Sequence, residues 1–436
     1  MDVVIVGGGF GGLYAAKKLS RLPVQVILLD RRNYHLFQPL LYQVATGALS
    51  PANIASPLRS ILHNRQNVEV LLADVTGFDT ANRRVIYKTG ERAYDTLIVA
   101  AGMADSYFGH QTWEKLAPGL KSIEDATTVR ARVLYAFEAA ERETDPKEVQ
   151  KWLTFVIVGG GATGVELAGA LAEIARYTLR GNFQHIDPAQ AKILLIEGAT
   201  RVLPPYPQEL STEAAKSLAE MGITVMTGCL VNEVQPDFVV VECGGKSETI
   251  ETHTVLWAAG VQGSPLGKAL AEATGADVDK AGRVKVQPDL TVPGHPEIFV
   301  IGDLAYLTDQ TGNPLPGVAQ VAMQQGRYVA HLIEARLKSK SLPPFHYRDR
   351  GKMATIGRAS AVADLGRIKL HGYIGWLAWL FIHLIYLIEF ENRVLVLFQW
   401  AWNYFTRNRA ARLITWESRL EPAVKATTER DIEMTK

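Results

Sequence analysis

The chain has 436 residues, and its 46 Lys and Arg residues almost balance 45 Asp and Glu residues, which gives a formal net charge of +1. Such a chain does not attract nucleic acid or an acidic partner over long range, so we expect no nucleic-acid binding. The length predicts two or three domains, and 47% hydrophobic residues exclude a disordered or fibrous protein. The two cysteines, Cys229 and Cys243, are predicted to be small structural residues. We therefore expect no metal site and no dithiol chemistry, and redox chemistry falls to a bound cofactor.

The N-terminal segment is a short β-branched strand that leads directly into glycines. No basic region precedes it, so we expect no signal peptide and a cytoplasmic protein. Gly7, Gly9 and Gly12 have the GxGxxG spacing, which permits a tight turn, close approach of a diphosphate and close helix packing. The next apolar strand ends in Asp30, which can accept hydrogen bonds from a ribose. The segment therefore predicts a dinucleotide site.

The same pattern occurs a second time, about 150 residues further along the chain. Gly159, Gly161 and Gly164 follow a strand, and Glu197 ends the next one. The acid here follows Gly164 by 33 residues, against a usual spacing of about 20, because residues 177–190 are inserted. One such motif could be an ordinary glycine turn, but two with matching strands, helices and acids indicate two dinucleotide sites. An acid at the ribose position favours NAD over NADP, although Arg201 nearby leaves NADP open.

Two dinucleotide sites on one chain are most simply one for FAD and one for NADH, and the sequence resembles the two-dinucleotide-binding-domain flavoproteins. The resemblance implies that the first loop holds FAD and the second NADH. It also implies that Asp303, which follows Gly302 at the end of a later strand, contacts the ribityl chain or diphosphate of the flavin. The alternative for Asp303 is a turn residue without a cofactor.

The expected fold class is α/β, with two Rossmann-like dinucleotide-binding domains and a C-terminal amphipathic region. Residues 1–110 and 270–340 are predicted to form a discontinuous FAD-binding domain, and residues 111–269 the NADH-binding domain. Residues 341–416 are predicted to be a membrane-associated region. The last segment, 417–436, mixes charges without periodicity and is predicted to be a mobile tail.

A helix opened by Pro-Gly carries the most specific motif. Gln320 and Gln324 are four residues apart and share one face, in the pattern Ala-Gln-x-Ala-x-Gln. With residues 37–43 and 165–169, this motif resembles the type II NADH:quinone oxidoreductases, which do not pump protons. The resemblance implies hydride transfer from NADH to FAD and transfer of two electrons to a membrane quinone. It places Gln320 and Gln324 beside the quinone and Glu166 near the nicotinamide; the alternative is an ordinary helix with solvated glutamines.

The C-terminal region is rich in tryptophan, since five of the eight tryptophans fall in the last 61 residues. Residues 373–388 are uncharged but span only about 24 Å, short of the ~30 Å hydrocarbon core. Six basic and two acidic residues lie between Arg367 and Trp416, a local excess of 6 − 2 = +4. Aromatic rings beside arginines are typical of a peripheral anchor on the cytoplasmic face of a membrane. Lys369 is predicted to flank the quinone entrance, and the alternatives for the region are a homodimer interface or a buried helix pair.

Two other functions compete with NADH:quinone oxidoreduction. A soluble NADH-dependent reductase of an iron–sulfur protein such as a ferredoxin would use the same nucleotide sites, but it would not need the tryptophan-rich C-terminus. A membrane-attached NAD(H) sensor would bind the same cofactors with little turnover. Quinone turnover separates these alternatives.

Overall fold

The computed structural model describes residues 1–407 and 409–415, which group into two compact units. The first unit consists of Met1–Leu36, Ala55–Ala104 and Val261–Arg350. The second consists of Phe37–Ile54, Asp105–Gly260 and the described residues from Gly351 onward. Trp416 and the predicted mobile tail, 417–436, lie outside the described residues. The four sequence-based domain ranges stay predictions.

A six-stranded sheet forms the centre of the first unit. Its strands, in spatial order, are Thr291–Val292, His295–Val300, Thr96–Val99, Asp2–Val6, Gln25–Asp30 and Val68–Leu72. All neighbours are parallel except the first pair. Val3, Val4 and Ile5 are fully buried, which explains why the first strand is an uninterrupted apolar run.

Two long helices of the first unit pack closely on each other. Phe10–Leu19 follows the strand Asp2–Val6, and Ala319–Leu337 comes after the strand His295–Val300 in the chain. A Cβ atom on Gly326 would come within 2.3 Å of the Gly11 carbonyl oxygen, so glycine is required at this crossing. The other elements of the unit are strands Tyr34–Leu36, Ala55–Pro57, Val75–Asp79, Arg84–Tyr87, Gly90–Ala93, Val261–Gly263, Val284–Lys285 and Ala305–Tyr306, helices Leu58–Leu62 and Pro265–Thr274, and the 3-10 turn Gly302–Leu304.

The second unit contains a four-stranded parallel sheet. Its strands, in spatial order, are Ile223–Thr227, Lys192–Glu197, Thr154–Val158 and Thr254–Trp257. The helix that follows the central strand is Ala162–Glu173, and it continues as one π-helical segment, Ile174–Thr178. The other helices are Gln38–Leu40 (3-10), Leu41–Ala45, Pro51–Ile54, Trp113–Leu116, Ile123–Arg142, Pro146–Trp152, Pro188–Gln190 (3-10) and Gln208–Glu220. The strand Met103–Asp105 crosses from the first unit into the second.

The C-terminal part of the second unit is a small antiparallel sheet followed by two helices. The strands are Lys352–Thr355, Ala361–Asp364 and Lys369–His371. The helices, Gly372–Tyr386 and Phe390–Thr406, are called the C-terminal helices below. Leu387 is buried and Glu389, with φ +69°, lies in the turn between them. Among the described residues, no helix combines the length and the apolar character needed to cross a bilayer.

The two cysteines are joined by a disulfide that the sequence did not indicate. Cys229–Val234 and Phe238–Cys243 are antiparallel neighbours, followed by Lys246–Glu251. Cys229 and Cys243 lie directly opposite each other, with Cα atoms 4.3 Å apart, and form a disulfide. They are structural residues as expected, but they are covalently paired rather than merely small.

The fold class predicted from the sequence is confirmed. Each unit is an α/β structure built on a parallel sheet, and the first strand of each sheet leads through a glycine loop into a helix.

Candidate functional site

The first glycine loop joins the strand Asp2–Val6 to the helix Phe10–Leu19. Gly7 has φ +104°, and a Cβ atom there would lie 2.4 Å from the Ala100 carbonyl oxygen. A Cβ on Gly12 would lie 1.9 Å from the Gly7 carbonyl oxygen. Gly9, in contrast, has no atom within 4 Å of its Cβ position. Two glycines thus close the loop, and the third leaves open space beside the N-terminus of the helix, where a diphosphate fits.

The second glycine loop repeats this geometry in the other unit. Gly159 has φ +107°, and its Cβ position lies 2.6 Å from the Ala258 carbonyl oxygen. The Cβ position of Gly164 lies 1.8 Å from the Gly159 carbonyl oxygen, and Gly161 again faces open space. The same three roles therefore fall on the corresponding glycines.

The acid predicted for each ribose is bound to its own loop in the same way. Asp30 accepts hydrogen bonds from the Gly8 N–H and, at 2.7 Å, from the Arg32 N–H. Glu197 accepts from the Gly160 N–H at 2.6 Å and from the Ala199 N–H at 2.7 Å. Burial raises the pKa of Asp30, while the two N–H bonds and the nearby arginines lower it. Each carboxylate oxygen has a second lone pair, so both acids can still accept a ribose hydroxyl.

Gly302 and Asp303 lie at the carboxyl end of the strand His295–Val300, in the same sheet as the first loop. Gly302 has φ +73°, and its N–H donates to Oε1 of Gln325 at 2.6 Å. Asp303 lies against Gly317, whose Cβ position is 3.4 Å from the Asp303 carboxyl carbon. Sequence reasoning missed Gln325, a buried side chain that fixes the turn carrying Asp303. Its only sequence signal is that it follows Gln324.

The two predicted quinone glutamines begin the helix Ala319–Leu337 and are both half-buried. The amide of Gln324 is already paired on both sides. Its Nε2 donates to the Arg348 carbonyl oxygen at 2.9 Å, and its Oε1 accepts from the Arg348 N–H at 3.0 Å. A quinone contact by Gln324 would require these bonds to open, whereas Gln320 lies one turn nearer the start of the helix.

Glu166 is the fifth residue of the helix Ala162–Glu173, which leaves the second glycine loop. It is buried, and its Oε1 accepts a hydrogen bond from the Thr355 N–H at 3.3 Å. Burial raises the pKa of Glu166 to about 8, and the Thr355 bond lowers it. A carboxyl with such a pKa can hold or release a proton near neutral pH, as an acid–base residue must.

Lys369, predicted at the quinone entrance, forms an ion pair with Glu209 at 2.7 Å and is partly exposed. Arg201, which left NADP open, donates from Nη2 to the Pro204 carbonyl oxygen at 2.8 Å. His383 bonds through Nδ1 to the Trp379 carbonyl oxygen at 2.8 Å.

The structure divides the predicted residues between the units. The first unit carries Gly7, Gly9, Gly12, Asp30, Gly302, Asp303, Gln320 and Gln324. The second carries Gly159, Gly161, Gly164, Glu166, Glu197 and Lys369. Each group contains a loop with room for a diphosphate and an acid for a ribose, so each fits one dinucleotide.

Comparison with protein families agrees with this architecture. Residues 1–326 match the model described as pyridine nucleotide-disulphide oxidoreductase, and residues 350–408 match the model described as the NDH2 C-terminal domain.

Curated relatives match over most of the chain. The type II NADH:quinone oxidoreductase Ndh of Mycobacterium tuberculosis is 46% identical over 421 residues, which cover 95% of this chain and 90% of the relative. The NdhA protein of the same organism is also 46% identical, with coverage of 95% and 89%. The type II NADH:quinone oxidoreductase of Staphylococcus haemolyticus is 30% identical, with coverage of 83% and 88%.

Solved structures share the fold. NDH2 from Plasmodium falciparum in complex with NADH has a TM-score of 0.85 at 21% identity and covers 95% of this chain and 99% of its own. The sulfide:quinone oxidoreductase of Aquifex aeolicus has a TM-score of 0.71 at 18% identity, with coverage of 94% and 92%.

Proposed function

The chain belongs to the type II NADH:quinone oxidoreductases, within the pyridine nucleotide-disulphide oxidoreductase family, and from that premise we propose that it oxidises NADH and reduces a quinone at a lipid surface. The overall reaction converts NADH, one proton and a quinone into NAD⁺ and a quinol. NADH gives two electrons and one proton as a hydride, so the second proton of the quinol comes from the medium. The observation that carries the proposal is the pair of equivalent glycine cradles, one in each unit.

We propose that the first cradle holds FAD and the second holds NADH. Gly7, Gly9, Gly12 and Asp30 would bind the adenosine diphosphate half of FAD, and Gly302 with Asp303 would bind nearer the flavin. FAD supplies the two-electron acceptor between NADH and the quinone. The side chains of this unit bind and orient that group, and Gln325 holds the turn of Asp303 in place.

The second cradle favours NADH over NADPH. Glu197 ends its strand beside the loop, and its negative charge would repel a 2′-phosphate. Nη2 of Arg201 donates to the Pro204 carbonyl oxygen and is not available to such a phosphate while that bond is made. These two contacts support NADH as the electron donor.

We propose that Gln320 and Gln324 of the first unit act on the quinone, and that Glu166 of the second unit supplies acid–base chemistry for its reduction. The glutamines lie near the start of one helix and offer amide groups to a quinone carbonyl. Glu166 can hold a proton near neutral pH. A buried acid of this kind suits the uptake of the second proton, and it also suits a position near the nicotinamide.

The C-terminal helices supply the surface for a lipid bilayer. Trp379, Val396 and Trp400 face inward and are buried. The opposite faces expose large apolar side chains, including Phe398 at 71% and Phe405 at 81%; the others are Tyr373, Ile374, Leu377, Phe381, Ile385, Phe390, Leu395, Leu397 and Trp402. Helices of about 22 and 25 Å that are apolar on one face lie in a membrane interface rather than across it.

The positive charge of this region contributes less than the sequence count indicated. Arg409 is buried in an ion pair with Glu173 at 2.6 Å, and Arg412 donates to the Thr178 and Arg409 carbonyl oxygens. We therefore propose that apolar insertion, more than attraction to anionic lipid, holds the protein on the membrane. NADH is a cytoplasmic metabolite, which supports a peripheral position on the cytoplasmic face. The alternative is that the exposed apolar faces of these helices form a homodimer interface.

One assay tests the reaction. The purified FAD-containing protein should reduce a short-chain quinone with NADH and do so far more slowly with NADPH. Reduction of the flavin without quinone turnover would contradict the proposal and favour the sensor or the iron–sulfur protein reductase.

A second assay tests the lipid surface. The double substitution Phe398→Asp and Phe405→Asp should lower flotation with lipid vesicles by about tenfold or more, because two charges would enter the apolar layer. Turnover of a short-chain quinone should stay unchanged. The control is Ile86→Asp, which places the same charge on an exposed apolar site of the antiparallel sheet. Equal flotation of the double variant and the parent would exclude the lipid surface, and loss of a dimer instead would identify the homodimer interface.

A further inference from the structure

A buried chain of hydrogen bonds connects Phe390–Thr406, the last helix of the described residues, to Glu166. The Trp400 indole N–H donates to Oε1 of Gln43 at 2.7 Å. Nε2 of Gln43 donates to the Tyr42 hydroxyl at 3.0 Å, and that hydroxyl lies 2.9 Å from Oγ1 of Thr355. The backbone N–H of Thr355 then donates to Oε1 of Glu166 at 3.3 Å. All five residues belong to the second unit and are buried. We call the residues Trp400, Gln43, Tyr42 and Thr355 the relay.

The chemistry of the two ends fixes the direction of the bonds that Trp400, Gln43 and the Thr355 N–H donate. An indole N–H can only donate, so the Gln43 amide must turn its oxygen to Trp400 and its nitrogen to Tyr42. The Tyr42 oxygen accepts from Gln43, and either hydroxyl can donate in the bond between Tyr42 and Thr355. A backbone N–H can only donate, so Thr355 bonds to a lone pair of Glu166. The relay therefore begins with a fixed donor at Trp400 and ends with a fixed donor at the carboxyl of Glu166.

The relay positions groups rather than conducting protons. A proton could pass between hydroxyls, but an indole and a carboxamide do not exchange protons readily near neutral pH. Because every member is buried, removal of one donor leaves a neighbouring acceptor without its partner, and that neighbour must rearrange. The orientation of Thr355 thus depends on Trp400, three bonds of the chain away.

Trp400 connects this chain to the lipid-facing helix. It lies in a buried stripe with Asn392 and Val396, at intervals of four residues. Phe398 and Trp402, on either side of it in sequence, are among the exposed apolar residues. The same helix therefore carries the proposed lipid face on one side and the first donor of the relay on the other.

The charged and titratable groups near Glu166 are engaged elsewhere or neutral. Burial raises the pKa of both Tyr42 and Tyr206, and the charge of Glu166 raises each further, so both phenols stay protonated. Lys352, on the strand of Thr355, donates to the Pro205 carbonyl oxygen at 2.8 Å. Glu173, on the helix of Glu166, is paired with Arg409.

Three further acids on the neighbouring elements complete this environment. Glu197 is hydrogen-bonded to its glycine loop, and Glu209 is paired with Lys369. The charge of Asp364, on the next strand, raises the pKa of Tyr206. The Thr355 N–H is the hydrogen bond that acts on the Glu166 carboxyl, against the effect of burial.

We propose that Trp400, Gln43 and Tyr42 are positioning residues that hold the Thr355 N–H against Glu166, so that the proton on Glu166 depends on the seating of the last helix. The proposal rests on the proposed role of Glu166 in quinone reduction. It extends that role by making a helix with a lipid-facing side part of the protonation site. A protein whose last helix is correctly seated on the membrane has the relay complete.

The test measures the pH dependence of quinone reduction by the full-length, FAD-containing protein. Quinone reduction should fall as the pH rises through the pKa of Glu166, near 8. Trp400→Phe keeps an aromatic ring and removes the N–H, and Tyr42→Phe removes the hydroxyl. Loss of either loosens the Thr355 bond that favours the carboxylate, so the falling limb should move up by about half a pH unit or more. Reduction of the flavin by NADH should not change.

Matched controls remove the same groups elsewhere in the second unit. Trp152→Phe removes an indole N–H in the helix Pro146–Trp152, and Tyr135→Phe removes a hydroxyl in the helix Ile123–Arg142. Neither should move the limb. The double variant of Trp400→Phe and Tyr42→Phe should shift the limb no further than either single change, because both break one chain.

A spectroscopic measurement keeps the test independent of turnover. Infrared difference spectra across the pH range should contain a protonated-carboxyl band that Glu166→Gln removes, and its titration should shift in both relay variants. If Tyr42→Phe and Trp400→Phe leave the band and the limb in place, the relay is refuted. If Glu166→Gln leaves the limb in place, the assignment of Glu166 fails instead, and the proposal with it. Tyr42→Phe serves as the deciding variant if Trp400→Phe does not fold.

Discussion

The two glycine loops share their geometry, but the carbonyl group of the second glycine is satisfied in different ways. In the first loop, the Gly8 carbonyl oxygen accepts from Nδ1 of His35, a buried side chain, at 2.9 Å. In the second loop, the Gly160 carbonyl oxygen accepts from the backbone N–H of Leu203 at 2.8 Å. A backbone donor has no titration near neutral pH, whereas an imidazole can gain a proton. The stability of the first cradle can therefore depend on pH through His35, whereas the corresponding bond in the second cradle cannot.

The largest expected effect tests whether the loops act independently. Gly12→Ala and Gly164→Ala each place a Cβ atom less than 2 Å from a carbonyl oxygen, at 1.9 and 1.8 Å. Neither loop can accept this without moving, so Gly12→Ala should abolish FAD retention. Gly164→Ala should keep FAD but raise the KM for NADH by more than about tenfold. FAD absorbance and steady-state kinetics measure the two results.

The control for both changes is Gly77→Ala, because no atom lies within 4 Å of that Cβ position. It should leave both FAD content and KM unchanged. If Gly164→Ala released FAD as readily as Gly12→Ala, the separate assignment of the two cradles would be wrong.

A smaller effect is expected at the two acids. Asp30→Ala and Glu197→Ala each remove two acceptors for loop N–H groups. Loss of such a bond costs about 1–3 kcal/mol, or roughly five- to 150-fold in binding. Asp30→Ala should weaken FAD binding, measured by release on dilution, and Glu197→Ala should raise the KM for NADH. The KM for NADPH should fall in Glu197→Ala because the repelling charge is gone, and a rise in both would point to damage of the loop alone.

The sequence predicted the form of the two glycine loops because each is built from residues close together in the chain, while the cofactor contacts of these residues stay predictions. The glycines, strands and acids of each loop lie within a short stretch of chain, and the geometry of a diphosphate turn leaves few residue types suitable. The long interval before Glu197 does not change the position of the acid, since Glu197 accepts from the Gly160 N–H as Asp30 accepts from the Gly8 N–H.

The remaining features depend on contacts between distant parts of the chain. Tyr42 meets Thr355 across 313 residues, and Gln43 meets Trp400 across 357. No periodicity or spacing in one sequence encodes such pairs. The sequence likewise did not indicate that the Gln324 amide bonds to the backbone of Arg348, and the quinone contact that the resemblance implies for Gln324 stays a prediction. The disulfide was missed for another reason, because 14 residues separate cysteines whose strand register was not predicted.

The difference at the second glycine predicts a pH effect for the first unit. Burial lowers the pKa of His35 to about 4, from an ordinary 6.5, so the folded protein resists a proton that the unfolded chain accepts. The contribution of His35 to the free energy of unfolding is therefore fully present above pH 6.5 and is lost as the pH drops toward 4. The loss from this group is about 3 kcal/mol at most. His35→Gln keeps a donor for Gly8 and should reduce the fall, measured by thermal unfolding between these pH values.

His383 is buried in the second unit and its pKa is also lowered to about 4, so His35→Gln should leave part of the pH dependence in place. The exposed His63 provides the control, since His63→Gln should leave the curve unchanged. A curve that His35→Gln leaves unchanged would show that the imidazole does not set the stability of the first loop.

The smallest effect is expected for the insertion before Glu197, residues 177–190, which lengthens the interval between the second glycine loop and its acid. Glu141 holds this insertion, because its carboxylate accepts from the N–H groups of Gln184, His185 and Ile186. Glu141→Ala should release the segment and increase tryptic cleavage after Arg180. The KM for NADH should change by less than about twofold, because the Glu197 contacts to Gly160 and Ala199 do not involve the insertion. Lys147→Ala, an exposed change on a neighbouring helix, should alter neither result. A large rise in KM for Glu141→Ala would mean that the insertion takes part in binding NADH, and the two cradles would then differ in more than the donor to their second glycine.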